Sequence, residues 1–159
     1  MKKILNVQGM QQLPGPYCGP ASMSMILAYY KHNVSQEQVA GFIDKGSFEK
    51  DGVDRRDLVL FARREGFIAS PRYNLMLDDI IKNIDSGFPI LARVKSGREQ
   101  AHYCVIKGYQ TDPNLLWVND PGDKRGYIYP YRVFRQIWNR TKCNGCEGSK
   151  YYGIIIRKK

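Results

Sequence analysis

The amino-acid sequence predicts an α+β fold, with helices in the first half packed on an antiparallel sheet formed by the second half. Up to about residue 87 apolar residues recur with helical spacing, and beyond it they alternate or run continuously as in strands. Runs of helices followed by runs of strands are typical of α+β proteins. We expect one domain over 1–159, with a helical lobe over about 12–87, a sheet lobe over about 88–159 and a cleft between them.

The first predicted helix begins where a turn-rich segment ends, at a cysteine. Residues 12–22 contain three prolines and two glycines, which disfavour regular structure. Met23, Ile26 and Leu27 then begin a helical repeat. Cys18 lies at the junction, where unpaired N–H groups and the positive end of the helix dipole favour a thiolate. The pattern makes Cys18 a candidate nucleophile.

Capping residues mark the next helices. Ser35 and Gln38 form a capping box for a helix from Gln36 to about Ile43. Asp54 caps a third helix, which ends at Glu65 before Gly66. Two shorter helices are predicted over 78–86 and 131–138. The predicted strands are 4–7 (or a loose arm), 67–73 with Pro71 restricting it to an edge or an end, 89–94, 102–109, 116–120, 127–129 and 151–157.

Composition restricts the classes of function. The net charge of +10 and the isoelectric point near 9.5 favour an acidic partner. The basic residues are scattered and accompany no nucleic-acid motif, so we do not expect nucleic-acid binding. No run approaches the ~18 apolar residues that cross a bilayer, which predicts no integral membrane segment. We expect a cytoplasmic protein, or a secreted one if a leader has been removed. The four cysteines do not suggest a disulfide framework in a chain of this kind.

The sequence contains two histidines, and one of them has a carboxylate predicted nearby. His32 follows a helix and is interpreted as a solvated cation. His102 opens a strand, and the hairpin turn at 110–114 places Asp120 opposite or nearly opposite it. A carboxylate there can accept the Nδ1–H of the imidazole and leave Nε2 for a nucleophile. The alternative is that Asp120 serves only the turn before Pro121.

Gln12 is the fourth candidate site residue. It precedes Cys18 by six residues in a loop stiffened by prolines. Its amide can donate a hydrogen bond to an oxyanion beside the sulfur, together with the backbone N–H of Cys18. A plain surface glutamine is the alternative.

Together these residues resemble a known family, the bacteriocin-processing peptidases that cleave double-glycine leaders. The resemblance rests on Gln12, on the run from Tyr17 to Ser22, on His102-Tyr103 and on Asn119-Asp120-Pro121, and it covers 12 to about 138. These are small papain-like cysteine peptidases, often fused to peptide-exporting transporters. The resemblance implies a papain-like fold, Cys18 as nucleophile, His102 as general base and acid, Asp120 as orienting group and Gln12 as oxyanion donor. Tyr17 and Pro20 are more similar to the free-standing members.

The resemblance also implies a peptide or protein substrate and a possible export transporter as partner, with no cofactor. From the charge we expect an acidic peptide, docking on the face that carries Arg55, Arg56, Arg63 and Arg64. The same triad also suits an acyl transferase or a cell-wall amidase, and a catalytically silent peptide-binding module is a further alternative.

The remaining cysteines are interpreted separately. Cys143 and Cys146 have the spacing of half a zinc site or a redox pair, but a loop with two thiols, or a labile disulfide, is favoured over metal. Cys104 lies two residues after His102 in the predicted strand and is expected to pack as a small core residue.

Overall fold

The helices and strands follow the predicted order along the chain. A computed structural model describes residues 1–43, 48, 52–96, 100–139 and 150–159. The described helices are α1 (Cys18–Tyr29), α2 (Gln36–Gly41), α3 (Arg55–Arg64), α4 (Leu77–Asp85) and α5 (Tyr131–Trp138). The strands are β1 (Lys2–Ile4), β2 (Phe67–Arg72), β3 (Ile90–Ser96), β4 (Gln100–Gln110), β5 (Leu115–Asn119), β6 (Gly126–Pro130) and β7 (Gly153–Lys158).

The strands form one antiparallel seven-stranded sheet in the order β2-β7-β3-β4-β5-β6, with β1 paired to β4. The predicted α+β class is confirmed. Pro71 lies in the edge strand β2, as its missing N–H requires. Both β1 and β2 precede residue 88 but belong to the sheet. The sheet therefore includes segments from both halves of the chain. The pairing of β2 with β7 joins segments that are far apart in the chain, and local sequence carries no signal for it.

Helix α1 is the core of the fold. Every residue from Gly19 to Leu27 is buried, including Met23, Ile26 and Leu27 at 0% exposure. Burial therefore extends beyond the positions of the predicted apolar repeat. The helix contacts α2 and α3 on one side and strands β3 and β4 on the other, so small residues such as Ala21 and Ser22 are enclosed as fully as the large ones.

The predicted helix caps are confirmed. The Ser35 side chain accepts from the backbone N–H of Gln38, and the Gln38 side chain accepts from the backbone N–H of Ser35. The Asp54 carboxylate accepts the Arg56 backbone N–H at 2.8 Å at the start of α3. After α3, Gly66 has φ of +90°, a conformation that favours glycine. Local chemistry therefore determines where these helices begin and end.

The β4–β5 hairpin carries an irregularity that affects the site. Ile106 pairs with Val118, but Gly108 pairs with Trp117, so the register shifts between them. A Cβ on Gly108 would lie 2.8 Å from the Lys3 carbonyl oxygen, so the close approach of β1 requires glycine. With Val105 opposite Asn119, Asp120 follows directly after the end of β5, as a diagonal neighbour of His102.

Candidate active site

Cys18 is the first residue of α1, and its thiol is half-buried. The preceding loop is held by the Tyr17 N–H, which donates to the Gly15 carbonyl oxygen at 2.9 Å. The Ala21 N–H donates to the Tyr17 carbonyl oxygen at 2.8 Å and closes the first turn. This is the predicted junction of loop and helix, and it holds the sulfur at the edge of the core.

His102 and Asp120 meet as the hairpin predicts. Nε2 of the His102 ring lies 2.7 Å from Oδ1 of Asp120, and the two side chains are 15% and 28% exposed. The predicted ring orientation is wrong, because Nε2 rather than Nδ1 contacts the carboxylate. Asp120 is a diagonal neighbour beyond the strand end, so the outer ring nitrogen is the one that reaches it. Nδ1 is left as the nitrogen available to a nucleophile.

Asp120 has two functions in the structure. Besides the contact with His102, its Oδ1 accepts the Gly122 backbone N–H at 2.8 Å. Asp120 therefore both contacts the imidazole and accepts a hydrogen bond within the turn. Partial burial opposes ionisation of Asp120, but the hydrogen bond and the charge of His102 outweigh it and lower the carboxyl pKa. The acid is thus held in its charged form beside the imidazole.

His102 interacts with both neighbours. Burial disfavours its charged form, but hydrogen bonding to Asp120 and to Cys18 outweighs this effect and raises its pKa from 6.5 to about 9. The ring is therefore protonated at neutral pH. A sulfur, an imidazolium and a carboxylate lie in sequence across the site, and this arrangement supports proton transfer between the first two.

Gln12 lies between the nucleophile loop and the acid loop. Its backbone N–H donates to the Pro121 carbonyl oxygen at 2.8 Å, one residue after Asp120. Its side-chain Nε2 donates to the Gly15 carbonyl oxygen at 2.9 Å. An amide nitrogen carries two protons, so one donor remains for another acceptor.

A second glutamine, which the sequence did not single out, fixes the position of Gln12. Gln36 is buried at 7% exposure. Its Nε2 donates to the Gln11 carbonyl oxygen at 2.9 Å, and its Oε1 accepts the Leu13 N–H at 2.9 Å. Both hydrogen bonds flank Gln12, so Gln36 positions that residue. Nothing in the local sequence distinguishes Gln36 from Gln38.

Position 19 has little room for a side chain, because residues from other segments pack closely against its backbone. A Cβ at this position would lie 3.2 Å from Cβ of Val53 and 3.3 Å from Cδ2 of Tyr103. The Tyr103 hydroxyl donates to the Val53 carbonyl oxygen at 3.1 Å, which ties the segment before α3 to strand β4. Val53 and Tyr103 thus form the support behind the nucleophile, a role that long-range packing alone reveals.

Other predicted features lie outside this arrangement. Nε2 of His32 contacts Oε2 of Glu65 at 2.8 Å, so it is not simply solvated. Cys104 is a buried core residue, as predicted, and burial raises the pKa of its thiol. Cys143 and Cys146 lie outside the described residues. Within the described ranges, no group of three or more His, Cys, Asp or Glu side chains is placed to hold a metal ion.

The four arginines of the predicted docking face all have partners inside the chain. Arg55 stacks on the rings of Tyr73 and Tyr152, and Arg63 donates to the Ala69 carbonyl oxygen. The remaining pairs are Arg56 with Asp54, and Arg64 with Glu65 and the rings of Phe42 and Phe61. These contacts already explain the positions of the four side chains, so they do not by themselves indicate a docking surface.

Comparison with protein families agrees with this geometry. The model of the Peptidase C39-like family matches residues 4–146, which is most of the chain. The chain belongs to this family. The predicted relationship to double-glycine-leader peptidases is confirmed at the level of family and fold. No curated protein matches the sequence.

Solved structures of this peptidase family have the same fold. A C39-like peptidase from Bacillus anthracis is 20% identical, with a TM-score of 0.76 and coverage of 100% of this chain and 98% of that one. The peptidase domain of Streptococcus ComA, a bifunctional ABC transporter of a quorum-sensing pathway, is 19% identical, with a TM-score of 0.73 and coverage of 97% and 100%. A double-glycine-motif protease from an AMS/PCAT transporter, solved with its leader peptide, is 22% identical, with a TM-score of 0.69 and coverage of 99% and 95%.

In the described part of the chain, no helix combines the length and the hydrophobicity needed to cross a bilayer.

Proposed function

We propose that this C39-family chain is an active cysteine peptidase, with Cys18 as the nucleophile and His102 as general base and acid. The observation that carries the proposal is the position of the His102 ring, which contacts Asp120 at 2.7 Å and interacts with Cys18. A ring with a pKa of about 9 holds a proton at neutral pH that it can give to a leaving amine. We also propose that 1–159 works as one domain.

The reaction proceeds in two halves. The Cys18 sulfur attacks the carbonyl carbon of the scissile peptide bond, while the proton of the thiol resides on Nδ1 of His102. The C–N bond breaks as this proton passes to the leaving amine, and a thioester remains on Cys18. Water then attacks the thioester, its proton passing to Nδ1 and back to the sulfur as the acid leaves. Asp120 stays ionised and keeps the ring oriented.

Two donors are proposed to stabilise the oxyanion. One is the backbone N–H of Cys18 at the start of α1, where N–H groups lack helical partners. The other is the side-chain amide of Gln12, whose second proton is not used by the bond to Gly15. The hydrogen bonds from Gln36 to the backbone on both sides of Gln12 support this role. A preorganised donor of this kind accelerates acyl transfer by about 10²–10³-fold.

The proposed substrate is a peptide or protein that carries a leader, cleaved in the cytoplasm where such a precursor is made. Two of the structural neighbours are peptidase parts of transporters, and one was solved with a leader peptide. By analogy we propose that this chain delivers its product to an export transporter. The analogy is one of fold and family, so the substrate needs its own test.

The test incubates a leader peptide ending in Gly-Gly, and separately a peptidoglycan fragment, with wild type, Cys18→Ala and Cys104→Ala. We expect wild type to cut the peptide and Cys18→Ala to be inactive. Cys104→Ala should retain activity, because the Cys104 thiol is buried in the core. Iodoacetamide should alkylate Cys18 first. Faster alkylation of Cys143 or Cys146 with activity retained in Cys18→Ala would refute the assignment. Turnover of the peptidoglycan fragment alone would identify an amidase.

A further inference from the structure

A cavity of about 590 Å³ is lined by Val53, which also packs near the start of α1. Its walls include Val53 and Asp54 before α3, Arg56, Asp57 and Leu60 on α3, and Arg93 from β3. Val53 is also the residue whose Cβ would lie 3.2 Å from a Cβ on Gly19. The Val53 side chain therefore lies between the cavity and the residue that follows Cys18.

Arg93 contributes a guanidinium to the wall of the cavity. Arg93 is half-buried and lies opposite Tyr103 in the β3–β4 pair. The ion pairs of arginine found among the described residues are those of Arg56, Arg64 and Arg125, and none involves the Arg93 guanidinium. The other charges of the walls are engaged: Arg56 holds the Asp54 carboxylate at 3.3 Å through two nitrogens, and Asp57 also has an interaction. The Arg93 guanidinium thus retains hydrogen-bond donors that a ligand in the cavity can use.

A second guanidinium, that of Arg55, is linked to Arg93 through Tyr152. Arg55 lies 5.1 Å over the ring of Tyr152, and the Tyr152 carbonyl oxygen accepts the Arg93 backbone N–H at 3.2 Å. The Nη1 atom of Arg55 is buried and has no hydrogen-bond partner among the described residues. Arg55 lines a neighbouring cavity rather than this one, and its positive charge adds to the electrostatic attraction of an anion towards Arg93.

We propose that this cavity binds a carboxylate side chain of the peptide substrate, close to the scissile bond, and that Arg93 is the residue that selects it. The inference rests on the proposed peptidase function and narrows its substrate class. A guanidinium presents donors in a planar fork that matches a carboxylate, which makes arginine well suited to this selection. A glycine at the same substrate position would leave the cavity empty. The preferred cleavage sequence therefore contains Asp or Glu within a few residues of the cut rather than glycines alone.

The experiment digests a defined mixture of unrelated peptides and reads every cut by mass spectrometry. Wild type, Arg93→Gln, Arg93→Glu and Arg132→Gln are compared after circular dichroism has shown that each is folded. Arg132 is exposed on α5 and does not line the cavity, so its replacement by glutamine matches the change in net charge. A matched pair of peptides that differ only in Glu or Gln at the enriched position then gives kcat/KM.

We expect Asp and Glu to be enriched at one position within a few residues of the cut, with kcat/KM about tenfold higher for the Glu peptide. Arg93→Gln should abolish the difference, Arg93→Glu should shift the preference to Lys and Arg, and Arg132→Gln should leave it unchanged. Cleavage without acidic enrichment, or enrichment that persists in Arg93→Gln, overturns this inference and leaves the peptidase intact. If wild type cuts no peptide, the proposed function fails and this inference fails with it.

Discussion

Replacing Asp120 with asparagine removes the charge beside His102 while keeping the shape of the side chain. The raised pKa of His102, from 6.5 to about 9, corresponds to a preference for the charged ring of about 3 kcal/mol. This preference is the balance of burial against the contacts with Asp120 and Cys18. Loss of the carboxylate removes both a charge-assisted hydrogen bond of 2.7 Å and the attraction behind it. We expect the pKa of His102 to fall by at least about one pH unit.

The chain is well suited to measuring this change by NMR, because His32 and His102 are its two histidines. The imidazole shifts are followed against pH, and a His32→Asn variant assigns the signals. Glu65→Gln, which removes the carboxylate 2.8 Å from the His32 ring, is the matched control and should leave the His102 titration unchanged. The alkaline limb of kcat/KM should move with the pKa of His102. A His102 ring that titrates near 6.5 in wild type, or an unchanged pKa in Asp120→Asn, would refute the proposed ion pair.

Three further predictions follow from packing, positioning and pH. Gly19→Ala should lower the free energy of unfolding by about 1–3 kcal/mol, because the added Cβ lies 3.2 Å from Cβ of Val53. An unchanged melting temperature would show that Val53 can move to accommodate the added methyl group. Gln36→Leu should lose about 1–3 kcal/mol of stability and reduce kcat/KM, whereas Gln38→Ala, which affects only a helix cap, should reduce stability alone. The charged His102 should stabilise the fold fully below about pH 6.5, and this stabilisation should disappear as pH rises through about 9. In urea unfolding, the stability of His102→Gln should not decline over this pH range as that of wild type does. An equal decline in both proteins would contradict the stabilising role of the charged His102.

Local chemistry made most of the helices predictable. Asp54 and Gly66 define α3 because a side-chain cap and a positive φ act within a few residues. Cys18 could be placed at a helix start for the same reason. The meeting of His102 and Asp120 was predictable because a hairpin relates its two strands by simple symmetry.

Long-range contacts made the rest unpredictable. The register shift at Gly108 and the diagonal placement of Asp120 decide which ring nitrogen meets the carboxylate, and neither has a local signal. The same holds for Gln36, whose hydrogen bonds reach residues more than twenty positions away. The lack of space around Gly19 depends on Val53 and Tyr103, which come from other parts of the chain. The residues that position the site were therefore harder to find than the residues proposed to react.

The burial of α1 on every side has a consequence for how members of this fold can diverge. Because the reactive sulfur is attached to the most enclosed helix of the molecule, shifting it would require repacking Met23, Ile26 and Leu27 together. Residues such as Arg93 and Leu60 face open space and can change without that rearrangement. Evolution can therefore alter what the enzyme recognises in small steps while the position of its reactive atom stays fixed.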